Sequence, residues 1–199
     1  MARTKERTPE LKDRLLGTAI AALETDGVPG LTIRRVAGDA GTSAPALYEL
    51  FGDRGGLVGE IFAEGFRRLA ARLAETEESA DALADLRDCL AAFRAFANAN
   101  PALAEVMFSR PFADFDPGPE ELAAARAARD TIVRRVRRAL DAGALAGDPI
   151  DISHVLFALA RGLAVQEASG LLGRGTAVRE RRWRLGVDAT LAGLAPPHR

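Results

Sequence analysis

The sequence predicts an all-α fold, on three observations. Good helix formers (Ala, Leu, Arg and Glu) dominate the composition. β-branched and aromatic residues are sparse, and no apolar/polar alternation of period two persists. Apolar residues instead recur at spacings of three and four, in segments bounded by glycine, proline or capping side chains. With 48% hydrophobic and 28% charged residues among 199, the chain has the balance of a folded protein with a real core.

The first helix is expected from Pro9 to Asp26. Leu11, Leu15, Ala19, Ala22 and Leu23 form its apolar face, and Gly27 closes it as a left-handed cap. A short helix follows from Thr32, its N-cap, to Ala40, with Ile33, Val36, Ala37 and Ala40 on one stripe. Gly41 stops it. The next helix takes Ser43 as N-cap and Pro45 in its first turn, sets Leu47 and Phe51 one turn apart, and ends at Gly52. A long fourth helix runs from Arg54 to Glu75 behind an Asp53 cap, with Leu57, Ile61, Leu69 and Leu73 inward. Gly55 and Gly56, each about 1 kcal/mol poorer than Ala in a helix, are expected to let its first turn fray. The polar segment Thr76 to Ala80 reads as a domain boundary. Five further helical segments follow, at about 81–99, 101–109, 119–142, 151–171 and 177–193. Asn100-Pro101 opens the second of these as N-cap and first helical residue. The expected total is about nine helices, in domains 9–69 and 80–195.

The bulk numbers exclude several classes. Cys89 is the only cysteine, so no intramolecular disulfide forms; it reads as a small buried hydrophobe, and the chain suits a reducing cytoplasm. No apolar run marks a signal peptide or a membrane span. His154 and His198 are the only histidines, so a His-rich metal site is excluded. No nucleophile–base pair, phosphate loop or paired carboxylates stand out, so neither an enzyme nor a cofactor is expected. The net charge of −1 lacks the excess of cations that announces a nucleic-acid binder. Local pattern must therefore carry the functional reading.

That pattern lies at residues 32–51. Two short helices joined by Ala40-Gly41-Thr42-Ser43 have the dimensions of a helix-turn-helix, in which the first helix braces a second that enters the major groove. The turn needs a glycine able to take positive φ, which Gly41 supplies. Val36, Ala37, Leu47 and Phe51 are the expected inner contacts, and Ser43, Ala44, Pro45, Ala46 and Tyr48 the groove-facing set. An ordinary helical hairpin shares this bare pattern.

The longer string is more specific. Gly30-Leu31-Thr32-Ile33-Arg34-Arg35-Val36-Ala37, then Ala40-Gly41-Thr42-Ser43, then Ala46-Leu47-Tyr48-Glu49-Leu50-Phe51, then Asp53-Arg54 and Leu57, resembles the DNA-binding domain of the tetracycline-repressor (TetR/AcrR) family. The resemblance covers about residues 9 to 69. It implies that Tyr48 donates to a backbone phosphate, that Thr32 and Arg34 touch phosphate or a base edge, and that Arg54 pairs with phosphate at a helix N-terminus. Three positions depart from the family pattern. Leu50 stands where His or Tyr is usual, and Gly55-Gly56 replaces a charged pair. Glu49 puts a negative charge beside the groove, where it either accepts from a cytosine amino group or faces solvent. Acids balance cations through residue 54, while Arg3, Lys5 and Arg7 make a basic arm. A shallow salt dependence of DNA binding follows.

The later half resembles the family's WHG-type C-terminal domain, through Phe96-Ala97-Asn98-Ala99-Asn100-Pro101, Val106-Met107-Phe108 and Ala160-Arg161-Gly162-Leu163. Of the Trp-His-Gly motif itself only Gly162 is present, so no ligand role attaches to the missing His. Phe93, Phe96, Met107, Phe108, Phe112, Phe115 and Phe157 are either plain core or the lining of an effector cavity, with Phe112 and Phe115 as candidates for its lid. Arg161 meets an anionic ligand, a buried acid or solvent. Val155, Leu159, Gly162 and Gln166 form a narrow stripe that packs either within the subunit or in a dimeric four-helix bundle. The basic runs Arg134 to Arg138 and Arg179 to Arg184 read as solvated faces. The resemblance thus implies a homodimeric repressor, partnered by double-stranded operator DNA and by a small apolar or amphipathic effector that releases it. The rivals are a regulator whose ligand promotes DNA binding and a helical module that has lost DNA binding.

Overall fold

The computed structural model describes residues 8–109 and 115–197. Among them are nine helices and no strand: α1 (Pro9–Gly30), α2 (Ile33–Asp39), α3 (Ala44–Phe51), α4 (Arg54–Ala74), α5 (Ala82–Ala99), α6 (Pro101–Phe108), α7 (Pro119–Asp141), α8 (Pro149–Ala168) and α9 (Thr176–Gly193). They group into two compact units that do not follow chain order. The first takes residues up to Phe66 together with Asn100–Ala124, and the second takes Arg67–Ala99 and Ala125 onward. Helix α4 is continuous through the change of unit.

In the first unit the apolar stripes of α1 to α4 meet. Leu15, Leu23, Leu31, Val36, Leu47, Leu57, Val58 and Ile61 are all fully buried there. Helix α6 packs on α1. Asn100 occupies its N-cap position but makes no side-chain cap. The acceptor comes from α1 instead: the Glu24 carboxylate takes the N–H groups of Ala102 (3.4 Å) and Leu103 (3.0 Å). A carboxylate at a helix N-terminus also opposes the positive end of the helix dipole. Gly65 lets α4 and α6 approach, since a Cβ there would stand 2.5 Å from Met107 Sδ.

In the second unit α5 packs on α8, and α8 on α9. Arg94 of α5 ties the three together. It donates to Glu167 of α8 (2.6 and 3.1 Å) and to Glu180 of α9 (2.7 Å), and its guanidinium lies 4.9 Å from the Trp183 ring centre. These bonds hold the Glu167 carboxyl below its ordinary pKa. Asp148 caps α8 by accepting from Ile150 and Asp151 N–H.

The run Arg134 to Arg138 corrects the expectation of a solvated face. Arg135 is only 2% exposed. It donates to the carbonyls of Thr76 and Glu77 (2.5 and 2.9 Å) and to Thr76 Oγ1 (2.9 Å). Arg138 donates to Asp85 (2.6 Å) and to the Ser79 carbonyl (2.7 Å). Residues three apart share a helix face, so these two turn inward onto the segment after α4 while Arg134 and Arg137 stay exposed. In the run Arg179 to Arg184, Arg181, Arg182 and Arg184 are exposed as expected; Arg182 also donates to the Leu172 carbonyl, and the half-buried Arg179 pairs with Glu167. Cys89 is buried, and burial pushes its thiol up to about 11, as befits an inert packing group.

Candidate functional site

The α2–turn–α3 pair is built from buried and exposed edges in register. Thr32 caps α2, its hydroxyl accepting from Arg35 N–H at 3.4 Å. Gly41 adopts φ 64°, and the tight turn is closed by Gly41 N–H to the Gly38 carbonyl (3.0 Å) and Thr42 N–H to the Ala37 carbonyl (2.9 Å). Val36, Ala37, Leu47 and Phe51 are buried, the inner contacts expected from spacing. On the opposite edge Thr32, Arg34, Ser43, Pro45, Tyr48 and Glu49 are exposed, with Ala44, Ala46 and Leu50 half-buried between them. Tyr48 is 51% exposed. Helical spacing explains the division, because Leu47 and Phe51 lie one turn apart while Pro45, Tyr48 and Glu49 fall on the other side.

Three side chains, Ser43, Arg35 and Arg54, are settled by contacts that spacing does not foretell. Ser43 sits at the N-cap position, but its hydroxyl makes no capping bond. The neighbouring Arg34 and Arg35 are both exposed, and Arg35 pairs with Asp26 (2.5 Å) and Asp39 (3.5 Å). Asp26 above all raises the Arg35 pKa. Arg54 donates from Nε to the Leu31 carbonyl (3.1 Å) and from Nη2 to the Val28 carbonyl (2.9 Å). Those carbonyls follow the break in α1 at Gly27, whose φ is 68°. Sequence spacing cannot reveal this contact, because it joins residues 23 and 26 positions apart.

The start of α4 carries the expected cap: Asp53 Oδ1 accepts Gly56 N–H at 2.9 Å. Gly56 is required there, since a Cβ would lie 1.9 Å from the Phe51 carbonyl oxygen.

The candidate effector-binding residues fall into two groups. Met107, Phe108 and Phe115 belong to the first unit, where Phe108 meets Phe66 edge-on (5.4 Å between ring centres) and Phe115 meets Phe62 (5.8 Å). Phe93, Phe96, Phe157 and Arg161 belong to the second, where Phe93 and Phe157 pack edge-on at 5.3 Å. Phe93 and Phe96 are buried and Arg161 is exposed. Phe112 lies outside the described residues, as do Arg3, Lys5, Arg7 and His198. Among the described residues no helix is long and apolar enough to cross a membrane. No cluster of three or more His, Cys, Asp or Glu is placed to hold a metal there either.

A family model described as the tetracyclin repressor-like C-terminal domain matches residues 86–190. No curated protein matches the chain. Among solved structures, a protein of unknown function from Rhodococcus sp. RHA1 is 32% identical. The match covers 98% of this chain and all of that one, with a TM-score of 0.82. The TetR family transcriptional regulator PfmR from Thermus thermophilus is 21% identical over 92% of this chain and all of its own, with a TM-score of 0.67. A TetR variant from Acinetobacter baumannii AYE, solved in complex with minocycline, is 20% identical over 92% of this chain and 94% of its own, with a TM-score of 0.65. The last two share the fold. With a family match over more than half its length, laid on described residues that form nine helices with a helix-turn-helix at α2–α3, the chain belongs to the TetR family of transcriptional regulators.

Proposed function

We infer that the protein is a ligand-responsive repressor that binds operator DNA as a homodimer and is released by a small apolar or amphipathic effector. The observation that carries the reading is the outward edge of the α2–α3 pair. Arg34, Ser43, Pro45 and Tyr48 are exposed together on a buried Val36–Leu47–Phe51 base. On this reading Tyr48 and Arg34 meet phosphate, and Thr32, Ser43, Ala44, Pro45 and Ala46 lie along base edges or sugars.

Dimerisation is supported by α8 and α9. Val155 and Val165 on α8, Leu171 just beyond it and Leu185 on α9 are exposed, Leu171 at 75%. A Cβ at Gly162 would meet no other atom within 4 Å. Such a stripe suits close helix packing against a second copy, and two recognition helices must stand about 34–36 Å apart to reach successive major-groove faces. Each unit carries its own apolar aromatic group of the kind an effector uses, around Phe108 and Phe115 in the first and around Phe93 and Phe157 in the second. A small-molecule complex in a distant relative of the same fold supports an effector-binding role. The effector would favour a conformation in which α4 shifts and the recognition helices lose their spacing.

The test is a gel-shift titration with the DNA upstream of the protein's own gene, followed by challenge of the complex with an apolar compound library. A specific shift reversed by a compound is expected. A shift strengthened by the compound would establish the opposite sign of regulation. Absence of any shift, or a monomer in solution, would overturn the reading.

A further inference from the structure

The start of α4 is fixed at three points, all within the first unit: to the end of α1, within its own first turn, and to the end of α3. Arg54 reaches back across the helix boundary and grips the Val28 and Leu31 carbonyls with two different nitrogens. Asp53 closes the first turn on Gly56 N–H. The Phe51 carbonyl, which accepts Asp53 N–H at 3.0 Å, lies so close to Gly56 that no side chain fits between. A forked guanidinium on two carbonyls fixes an orientation that one ammonium bond would leave free. Bonds to a charged donor are also stronger than neutral ones.

We propose that Arg54 is a positioning residue and not a phosphate contact: by clamping the Val28–Leu31 turn to the first residue of α4, it makes α2, α3 and the start of α4 move as one body. The inference rests on the DNA-binding reading and deepens it. Arg54 and Arg34 are both exposed, but Arg54 spends two of its donors on backbone carbonyls of its own unit, and those two bonds fix where its guanidinium lies. Motion of α4 then reaches the recognition helix without slack at the α3–α4 corner.

The experiment compares the full chain with Arg54→Gln, Arg54→Lys and Arg34→Gln. Fluorescence anisotropy on a random-sequence duplex gives affinity against salt, and amide hydrogen exchange reports the segments 28–36 and 51–58. A lost phosphate contact lowers the salt slope by about 0.9 per charge. Arg34→Gln is expected to lower it so, with exchange unchanged. Arg54→Gln is expected to leave the slope as in the parent, weaken binding several-fold, and speed exchange of the Leu31 and Thr32 amides. Arg54→Lys keeps the charge but not the fork, so it too should speed that exchange. A reduced slope with unchanged exchange in Arg54→Gln would overturn the proposal. If the parent chain bound no duplex at any salt, the DNA-binding reading would fail. The exchange arm would still judge the clamp, and unchanged rates in both Arg54 variants would refute it.

Discussion

Two adjacent glycines in the first turn of α4 give opposite expectations for the same substitution. Intrinsic helix propensity favours Ala over Gly by about 1 kcal/mol at either Gly55 or Gly56. At Gly55 an added Cβ would lie 3.0 Å from Asp53 Oδ1, the end of a side chain that can adjust. Gly55→Ala is therefore expected to be neutral or mildly stabilising. At Gly56 the added Cβ would lie 1.9 Å from the Phe51 carbonyl oxygen and 3.1 Å from its carbon. The obstacle is backbone, itself tied to Asp53 N–H, so the α3–α4 corner must open by more than 1 Å to bring that contact to the 3.0 Å limit of real Cβ contacts. Overpacking of this kind costs about 3 kcal/mol at its upper range, which exceeds the propensity gain and leaves a net loss of about 2 kcal/mol. Urea unfolding of both variants, followed by circular dichroism, reads the difference as a shift in midpoint at unchanged slope. Gly56→Ala should also weaken DNA binding, because the opening displaces α3. Equal or greater stability of Gly56→Ala relative to the parent would refute the reasoning and show that the corner yields without cost.

Other outcomes follow from the same geometry. On the proposed reading Tyr48 donates to a phosphate, so Tyr48→Phe should weaken binding to all duplexes alike, by about 2 kcal/mol, as for a hydrogen bond to a charged group; anisotropy on several sequences checks this, and a loss confined to one base pair would contradict it. Arg94→Met removes the hydrogen-bonded partner of the largely buried Glu167, leaving only its longer pair with Arg179, and the cation over Trp183, at a cost of about 3 kcal/mol; thermal unfolding and the emission of the single tryptophan report it. Asp85 is held below its ordinary pKa, first by the Ser79 hydroxyl and also by Ser79 N–H and Arg138. A depressed folded-state pKa means that its contribution is present above the unfolded value of about 3.9 and fades as pH falls through the folded value. Asp85→Asn should therefore lower stability at neutral pH and flatten the acid limb of the stability curve below about pH 4; an unchanged acid limb in pH-dependent melting would show that Asp85 contributes nothing there.

Residue order alone determined which segments are helical, and where the recognition pair lies. Those properties are local. Leu47 and Phe51 one turn apart, Thr32 ahead of Ile33 and Gly41 in a four-residue turn each act within a few residues, where helical period and cap chemistry operate. Tertiary structure decided everything that depends on neighbours distant in the chain. Asn100 and Ser43 hold cap positions without capping, because whether a side chain bonds or turns outward depends on what approaches it; at α6 the acceptor comes from Glu24, far back on α1. Arg135 and Arg138 read as ordinary solvated arginines until the chain after α4 folds onto them, and nothing in the sequence signals the bonds of Arg54 to two carbonyls that the break in α1 brings within its reach. The candidate effector residues separate for the same reason, since α6 packs on α1 while α5 packs on α8. Helix periodicity fixes which face of a helix is apolar, and only the fold decides which face meets which.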